Sequence, residues 1–235
     1  MIRPAYYSQN DARWKSKPYT SIGDKSQTIG SSGCGPSCAA MVIQTLRKIG
    51  ITPVETCDWS VKHGYRTASQ GTEWGYFVPQ FAEYGISARM TYSFEDTKKA
   101  LSAGKMVIGR AKKGLWTSGG HYILGWGLEQ GNVYINDPNS TTPSKCCALV
   151  SHWDAEVTPF WIVEEDIKGM TYQEWCEYLK KYREELAKEP ADAWAKEACS
   201  WAINNGYIVG DGEGHYNWKS PTTRQELMAI LKRIF

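Results

Sequence analysis

The stretch Gly30-Ser31-Ser32-Gly33-Cys34-Gly35-Pro36-Ser37-Cys38-Ala39-Ala40-Met41-Val42 reads as a loop that turns into a helix, with one cysteine at the junction. Gly33 and Gly35 flank Cys34, so the backbone there is free to take φ values that a side chain would forbid. Pro36 suits the first turn of a helix, where its missing N–H would have no partner anyway. Behind it Cys38, Met41, Val42, Thr45, Leu46 and Ile49 recur at helical spacing and predict a buried stripe. Cys34 is thereby expected at a helix N-terminus, where unpaired N–H groups and the helix dipole favour a thiolate. A free cysteine is more often a buried, inert residue. The flanking glycines and the helix start turn the preference toward a nucleophile.

Upstream, residues 1–30 are polar and aromatic, with turn chemistry at Lys17-Pro18 and Ile22-Gly23-Asp24. They predict an extended lead-in packed on the cysteine helix, and they carry Gln9 and Gln27, either within reach of the cysteine. Downstream, the helix is expected to end at Gly50. A short helix over 53–61 begins at Thr52, Gly64 to Gly71 is loop, and Thr72 caps a helix running to Gly85, with Trp74, Phe77, Val78, Phe81 and Tyr84 on one face. A further short helix spans 94–101. Strands follow at 106–111, 121–126, 133–137 and 159–163, the middle two joined as a hairpin across Glu129-Gln130-Gly131-Asn132. Helices first and antiparallel strands second predict an α+β fold.

Composition changes near Gly169. Residues 171–189 predict an amphipathic helix with a stripe of Tyr172, Trp175, Cys176, Leu179, Tyr182 and Leu186, stopped by Pro190. The last forty-odd residues predict a small all-α unit: helix 191–205, a turn at Gly206, a Gly-rich loop and helix 222–235. A unit of that length buries little surface alone and must dock or oligomerise.

The chain has 235 residues, 42% hydrophobic and 22% charged, the composition of an ordinary globular protein. A net charge of +2 gives no electrostatic case for nucleic acid. No apolar run approaches the ~18–20 residues of a membrane span, and the N-terminus lacks the apolar core of a signal peptide. Seven cysteines at irregular spacing outline neither a disulfide framework nor a paired zinc site. Eleven Trp and fourteen Tyr suit carbohydrate or cell-wall contact, and equally a Trp-rich core.

A cysteine nucleophile needs a base, and the base needs a group that orients it. Of the four histidines only His121 opens a strand whose hairpin partner closes on a carboxylate, Asp137. The hairpin places the two strand ends side by side, so Asp137 can hold one imidazole nitrogen while the other faces Cys34. Gly119-Gly120 before His121 leaves room for a substrate backbone. The oxyanion would bind the N–H of Cys34 and a side-chain donor, Gln9 or Gln27.

At these residues the chain resembles a family. The segment Ile29 to Met41 is similar to the cysteine motif of C39-like peptidases, a papain-like superfamily. Gly120-His121-Tyr122-Ile123-Leu124 resembles its histidine motif, and Tyr134-Ile135-Asn136-Asp137-Pro138 its Asp-Pro motif. The resemblance covers about residues 5–165. It implies a papain-like cysteine peptidase fold, N-terminal helices on an antiparallel sheet, in a domain of residues 1–168. It implies Cys34 as nucleophile, His121 as base, Asp137 as orienter and an upstream Gln as oxyanion donor. The segment Tyr7-Ser8-Gln9-Asn10-Asp11-Ala12-Arg13-Trp14 makes that Gln9; its distance from Cys34 exceeds that in the bacteriocin-processing branch, so Gln27 stays open. Gly33, Gly35, Gly120 and Trp74 are the expected substrate contacts, and no cofactor or metal is implied. Asp211-Gly212-Glu213-Gly214 has the look of a calcium loop without its ligand count, and reads as a turn.

Residues 191–235, after a linker helix over 169–190, resemble one S-layer-homology-type repeat, carried by Trp194-Ala195-Lys196-Glu197-Ala198, by 205–212 and by Thr223-Arg224-Gln225-Glu226-Leu227. Such repeats hold cell-wall polymers, which implies Arg224 as a ligand contact; they usually come in threes, which implies a degenerate repeat or a homo-oligomer. Together the two resemblances imply a phage endolysin: made in the cytoplasm without a signal peptide, released by a holin, and cutting an amide in peptidoglycan. No nucleic-acid or membrane partner is expected. The rival readings are a C39-type peptidase for a protein or leader peptide, and a catalytically inactive wall-binding or assembly protein.

Overall fold

The computed structural model describes residues 2–69, 71–165, 172–219 and 221–234. It divides into two compact units, Met1–Lys168 and Gly169–Phe235.

In the first unit a short helix α1 (Ile29–Ser32) leads directly into α2 (Cys34–Arg47). The loop expected before the cysteine is therefore a helical turn. Thr28 accepts from the Ser31 N–H and Ser31 returns the bond to Thr28, a reciprocal cap that closes α1 within four residues. Gly33 ends α1 and begins α2 with φ −85°, so no left-handed backbone is needed there. Its lack of a side chain matters for space: a Cβ would lie 2.6 Å from the Ile29 carbonyl oxygen. Helix α2 stops at Arg47, short of Gly50, because Lys48 takes the left-handed conformation and bonds back to Gln44. Helix α3 (Pro53–Lys62) starts as expected on a Thr52–Glu55 capping box.

The single helix expected from Thr72 to Gly85 is instead a 3₁₀ turn, Trp74–Tyr76, followed by α4 (Phe77–Ala82). Thr72 caps nothing. It pairs with Arg66 in an isolated bridge, and its hydroxyl hydrogen-bonds Tyr19 Oη at 2.7 Å. Phe77 and Phe81 are buried as the stripe predicts, whereas Trp74 and Val78 are exposed.

The sheet is formed by β1 (Ala88–Thr91), β2 (Val107–Ala111), β3 (His121–Glu129), β4 (Asn132–Asn136), β5 (Cys147–Leu149) and β6 (Val157–Val163), with α5 (Phe94–Ser102) between β1 and β2. The order is β1-β6-β2-β3-β4-β5, with every pair antiparallel. Strands β1 and β5, and helices α6 (Pro143–Cys146) and α7 (Val150–Glu156), were not expected from the sequence.

The sheet has two buried faces. Met106, Ile108, Tyr122, Leu124, Trp161 and Val163 pack with Cys38, Met41 and Val42 of α2 and with Phe77 and Phe81 of α4. Val107, Ile123, Ile135, Phe160 and Ile162 pack with Leu101 of α5 and Trp153 of α7. Central strands covered on both sides read as continuous apolar runs, which is how β2 and β3 appear in the sequence. The Trp153 ring sits over two glycines of neighbouring strands, Gly109 and Gly125, which share a face in the β2–β3 register. A Cβ on Gly109 would stand 2.3 Å from Val157 Cγ1 and 3.2 Å from Trp153 Cζ2. Gly109→Ala is therefore expected to destabilise the fold by about 1–3 kcal/mol through overpacking. Denaturant unfolding of the two proteins checks this; an unchanged midpoint would show that the slot has slack.

The second unit is all-α. It comprises α8 (Tyr172–Lys188), a 3₁₀ turn Ala193–Ala195, α9 (Lys196–Asn204) and α10 (Arg224–Ile234). The expected helix start at Thr171, the helix end at Phe235 and the junction at 168/169 lie outside the described residues. Helix α9 begins after the 3₁₀ turn, later than the expected 191, and α10 begins at Arg224 behind Thr223, whose hydroxyl accepts from the Glu226 N–H. Tyr172, Trp175, Tyr178, Trp194 and Trp201 are all exposed. Among the described residues no helix is long and apolar enough to cross a membrane, and all seven cysteines are free thiols.

Candidate active site

Cys34 is the first residue of α2, a 14-residue helix. Gly33 supplies the carbonyl that accepts from Ser37 N at 2.9 Å and so starts the helical ladder. Of the first N–H groups of the helix, that of Gly35 acts on the thiol. His121 is the first residue of β3, and Asp137 follows the last residue of β4. Pairing of Leu124 with Asn136 brings the two ends together.

The His121 Nε2–H donates to Asp137 Oδ1 at 2.7 Å, and both side chains are buried. The Asn139 N–H donates to the same oxygen at 2.8 Å. Asp137 Oδ2 is buried with no partner among the described residues. With Nε2 engaged, the other ring nitrogen remains for Cys34, and the ring and the thiol are close enough to shift each other's acidity.

The two groups shift each other. Burial opposes the Cys34 thiolate, but the hydrogen bond and charge of His121, with the backbone N–H groups of Tyr122 and Gly35, outweigh it and lower the thiol pKa. Burial opposes the His121 imidazolium, yet the Asp137 hydrogen bond, then the hydrogen bond and charge of Cys34, raise it to about 9. Both shifts run in the direction that favours a thiolate beside an imidazolium. The signs set a pH window. The His121 contribution to stability is full below the ordinary histidine pKa and is lost as pH rises through about 9. The Cys34 contribution is present above the ordinary thiol pKa and is lost as pH falls through its lowered value. A rate that needs both charges should rise as the Cys34 thiol ionises and fall near pH 9 as His121 loses its proton. A kcat/KM profile without a basic limb near that value would contradict the ion pair.

These residues open onto a cleft of about 750 Å³ that Gln9, Trp74 and Gly120 also line. Gln9 is buried and straps two parts of the site together. Its N–H donates to the Pro138 carbonyl at 2.8 Å and its Nε2 to the Gly30 carbonyl at 2.7 Å. One Nε2 hydrogen remains to face the cleft. Gln27 does not line the cleft; its Nε2 donates to Ala68 O at 2.6 Å and its Oε1 accepts from Arg66 Nη2 at 3.0 Å.

Gly33 and Gly35, expected as substrate contacts, are buried and lie outside the cleft lining. They serve close packing instead: a Cβ on Gly35 would meet Thr72 Oγ1 at 3.1 Å and the Tyr122 ring at 3.2 Å. Arg224 is exposed at the start of α10 in the second unit.

Sequence reasoning missed Thr72, Glu73 and Arg110, all in the cleft lining. Arg110 had a signal, since it is the one charged residue in an otherwise apolar strand. Thr72 and Glu73 had none, because their place depends on the Arg66–Thr72 bridge. In the second unit, Asp211, Glu213 and His215 bring ligand atoms within 4.8 Å of one another. The Asp211 carboxylate is already engaged: the His215 side chain, with the Glu213 and His215 N–H groups, lowers its pKa to about 2. That arrangement is a turn closed by its own side chains, as read from the sequence.

A family model described as "Peptidase_C39 like family" matches residues 2–157. No curated protein matches the chain. Among solved structures, the chain is similar to the peptidase domain of Streptococcus ComA, a bi-functional ABC transporter involved in a quorum sensing pathway. The identity is 20%, over 56% of this chain and 90% of that one, with a TM-score of 0.42. It is similar also to a double glycine motif protease from an AMS/PCAT transporter in complex with its leader peptide. There the identity is 17%, over 55% and 81% of the two chains, with a TM-score of 0.39.

Proposed function

From the premise that this chain belongs to the Peptidase_C39 like family, we propose that it is a thiol hydrolase cutting an amide bond in peptidoglycan. Its fold is that of the family, helices and an antiparallel sheet. The observation that carries the hydrolase reading is the buried relay of Asp137 to His121 at 2.7 Å with Cys34 against the free ring nitrogen.

The Cys34 thiolate attacks the carbonyl carbon of the scissile amide. The oxyanion accepts from the Cys34 N–H and the Gln9 amide. The His121 imidazolium gives its proton to the departing amine, and the C–N bond breaks to leave a thioester. His121, now neutral, takes a proton from water; the hydroxide displaces Cys34 and the acid product leaves. Asp137 holds the ring and its charge through both halves.

The wall as substrate rests on two features. The cleft lining is polar, rich in Ser, Thr and amide groups, with a single exposed Trp, which suits a short polar peptide better than an apolar one. The second unit carries the stretch that resembles a wall-polymer-binding repeat and exposes Trp175, Trp194 and Trp201. We assign it the retention of wall polymer, with Arg224 as a contact, and release by a holin as the route to the wall.

Mass spectrometry of the soluble products released from purified Gram-positive walls tests the reading. New amino and carboxyl termini at one bond are expected. Intact walls beside a cleaved double-glycine leader peptide would replace it with a leader peptidase. Neither product, with Cys34 unreactive, would leave a wall-binding protein.

A further inference from the structure

Arg110 stands on β2 opposite Tyr122, the residue after His121. It shares the face of Ile108 and Leu124, the face that carries α2. Its side chain is half-buried and lines the cleft with Cys34 and His121. The guanidinium lies over the Trp74 ring, 5.6 Å from the centroid. It also reaches across the approach to His121, since a Cβ on Gly120 would stand 3.0 Å from Arg110 Nη2.

The guanidinium differs from most of its counterparts in this unit; Arg3, which also lacks a partner among the described residues, is exposed. Arg13 pairs with Asp11, Arg47 with Glu165, and Arg89 with Asp96 and Glu164. Arg66 is filled by three carbonyls and Gln27. Among the described residues Arg110 donates to no acceptor and pairs with no carboxylate; Glu73 lines the same cleft without reaching it. Half-buried in the cleft wall, the guanidinium keeps its donors free for a substrate group to accept from. Its planar fork matches a carboxylate in two parallel bonds. A ring against the face of a guanidinium leaves its in-plane donors unblocked.

We infer that Arg110 is a carboxylate anchor: it binds a free carboxylate of the substrate close to the scissile amide and so selects acidic peptides. The inference rests on the thiol-hydrolase reading of the same site. The carboxylate is either the C-terminus of a short peptide or an acid group left free inside one, as where a residue is linked through its side chain. Glu73 repels a second acid from the same cleft.

The test uses the full chain and soluble muropeptides in three forms: free acid, amidated at the C-terminus, and amidated at the internal acid. One amidated form should lose about tenfold to a hundredfold in kcat/KM, mostly through KM, and its identity names the carboxylate bound. In Arg110→Gln the ratio should fall to near one, and Arg110→Lys should lie between, keeping charge without the fork. Equal cleavage of all three forms, or a preference that survives in Arg110→Gln, would overturn the anchor.

A second measurement needs no turnover. Alkylation of Cys34 by iodoacetate relative to iodoacetamide should be about tenfold lower in Arg110→Gln than in the natural chain. A reactive Cys34 with an unchanged ratio overturns the anchor alone. An inert Cys34 overturns the thiol-hydrolase reading, and the anchor with it.

Discussion

Cys34→Ala is expected to lower the release of soluble wall fragments by about 10⁴–10⁶-fold, to a rate set by binding and the remaining polar groups alone. The substitution is small and sits where Cys34 is only half-buried, so the fold should survive; a thermal melt confirms it. Cys34→Ser tests the same step differently. The serine hydroxyl keeps the shape but ionises far less readily, and His121 facing it has no thiolate to stabilise its charge. Lysis by a folded Cys34→Ala protein at the natural rate would end the nucleophile assignment. Loss of lysis together with retained binding to walls is the expected pattern, because the second unit carries the proposed retention.

Asp137→Asn is expected to cost about 10²–10⁴-fold in kcat/KM and to move the basic limb of the pH profile downward. The carboxamide can still accept from His121 Nε2, but the negative charge is gone. Its hydrogen bond is the largest of the influences that raise His121 to about 9, against the burial that lowers it. Without it the imidazolium loses its proton at lower pH, and the thiolate loses the partner that depresses its own pKa. Asn139, which donates its N–H to Asp137 Oδ1 at 2.8 Å, should hold the loop in place. The profile of Cys34 alkylation against pH reads both shifts in one experiment. An unchanged limb near 9 would mean that His121 draws its charge stabilisation from elsewhere.

The arrangement of this site was legible in the sequence because it rests on rare residue types in particular local settings. Among the described residues one cysteine opens a helix, and one histidine opens a strand whose hairpin mate runs directly into an acid. What places these groups is local: a helix start, a hairpin and an Asp-Pro corner. The glycines around Cys34 were noticed for the wrong reason. Neither takes a left-handed backbone; Ile29 leaves no space for a Cβ at Gly33, and Thr72 and Tyr122 leave little at Gly35. The remainder is tertiary. Thr72 carries a good capping residue's chemistry, yet the buried Arg66 and Tyr19 claim it and the helix starts later. Strands β1 and β5 are short edge strands, four and three residues long, with no apolar alternation to announce them. Trp153 reads as one more aromatic until Gly109 and Gly125 are seen to make its seat.

The strap at the N-terminus sets an order in time. Ala5 accepts from Asn136, Tyr6 donates to the Asp137 carbonyl, and Gln9 donates to Pro138, all about 130 residues apart along the chain. On a ribosome adding about 5–20 residues per second, the first ten residues wait on the order of ten seconds for those partners to emerge. Cys34 waits about two-thirds as long for His121. Through that interval it is an ordinary thiol, neither activated toward an amide nor primed for oxidation. The site is assembled only when the last strands close, so any activity proposed for it begins with the completion of the first unit.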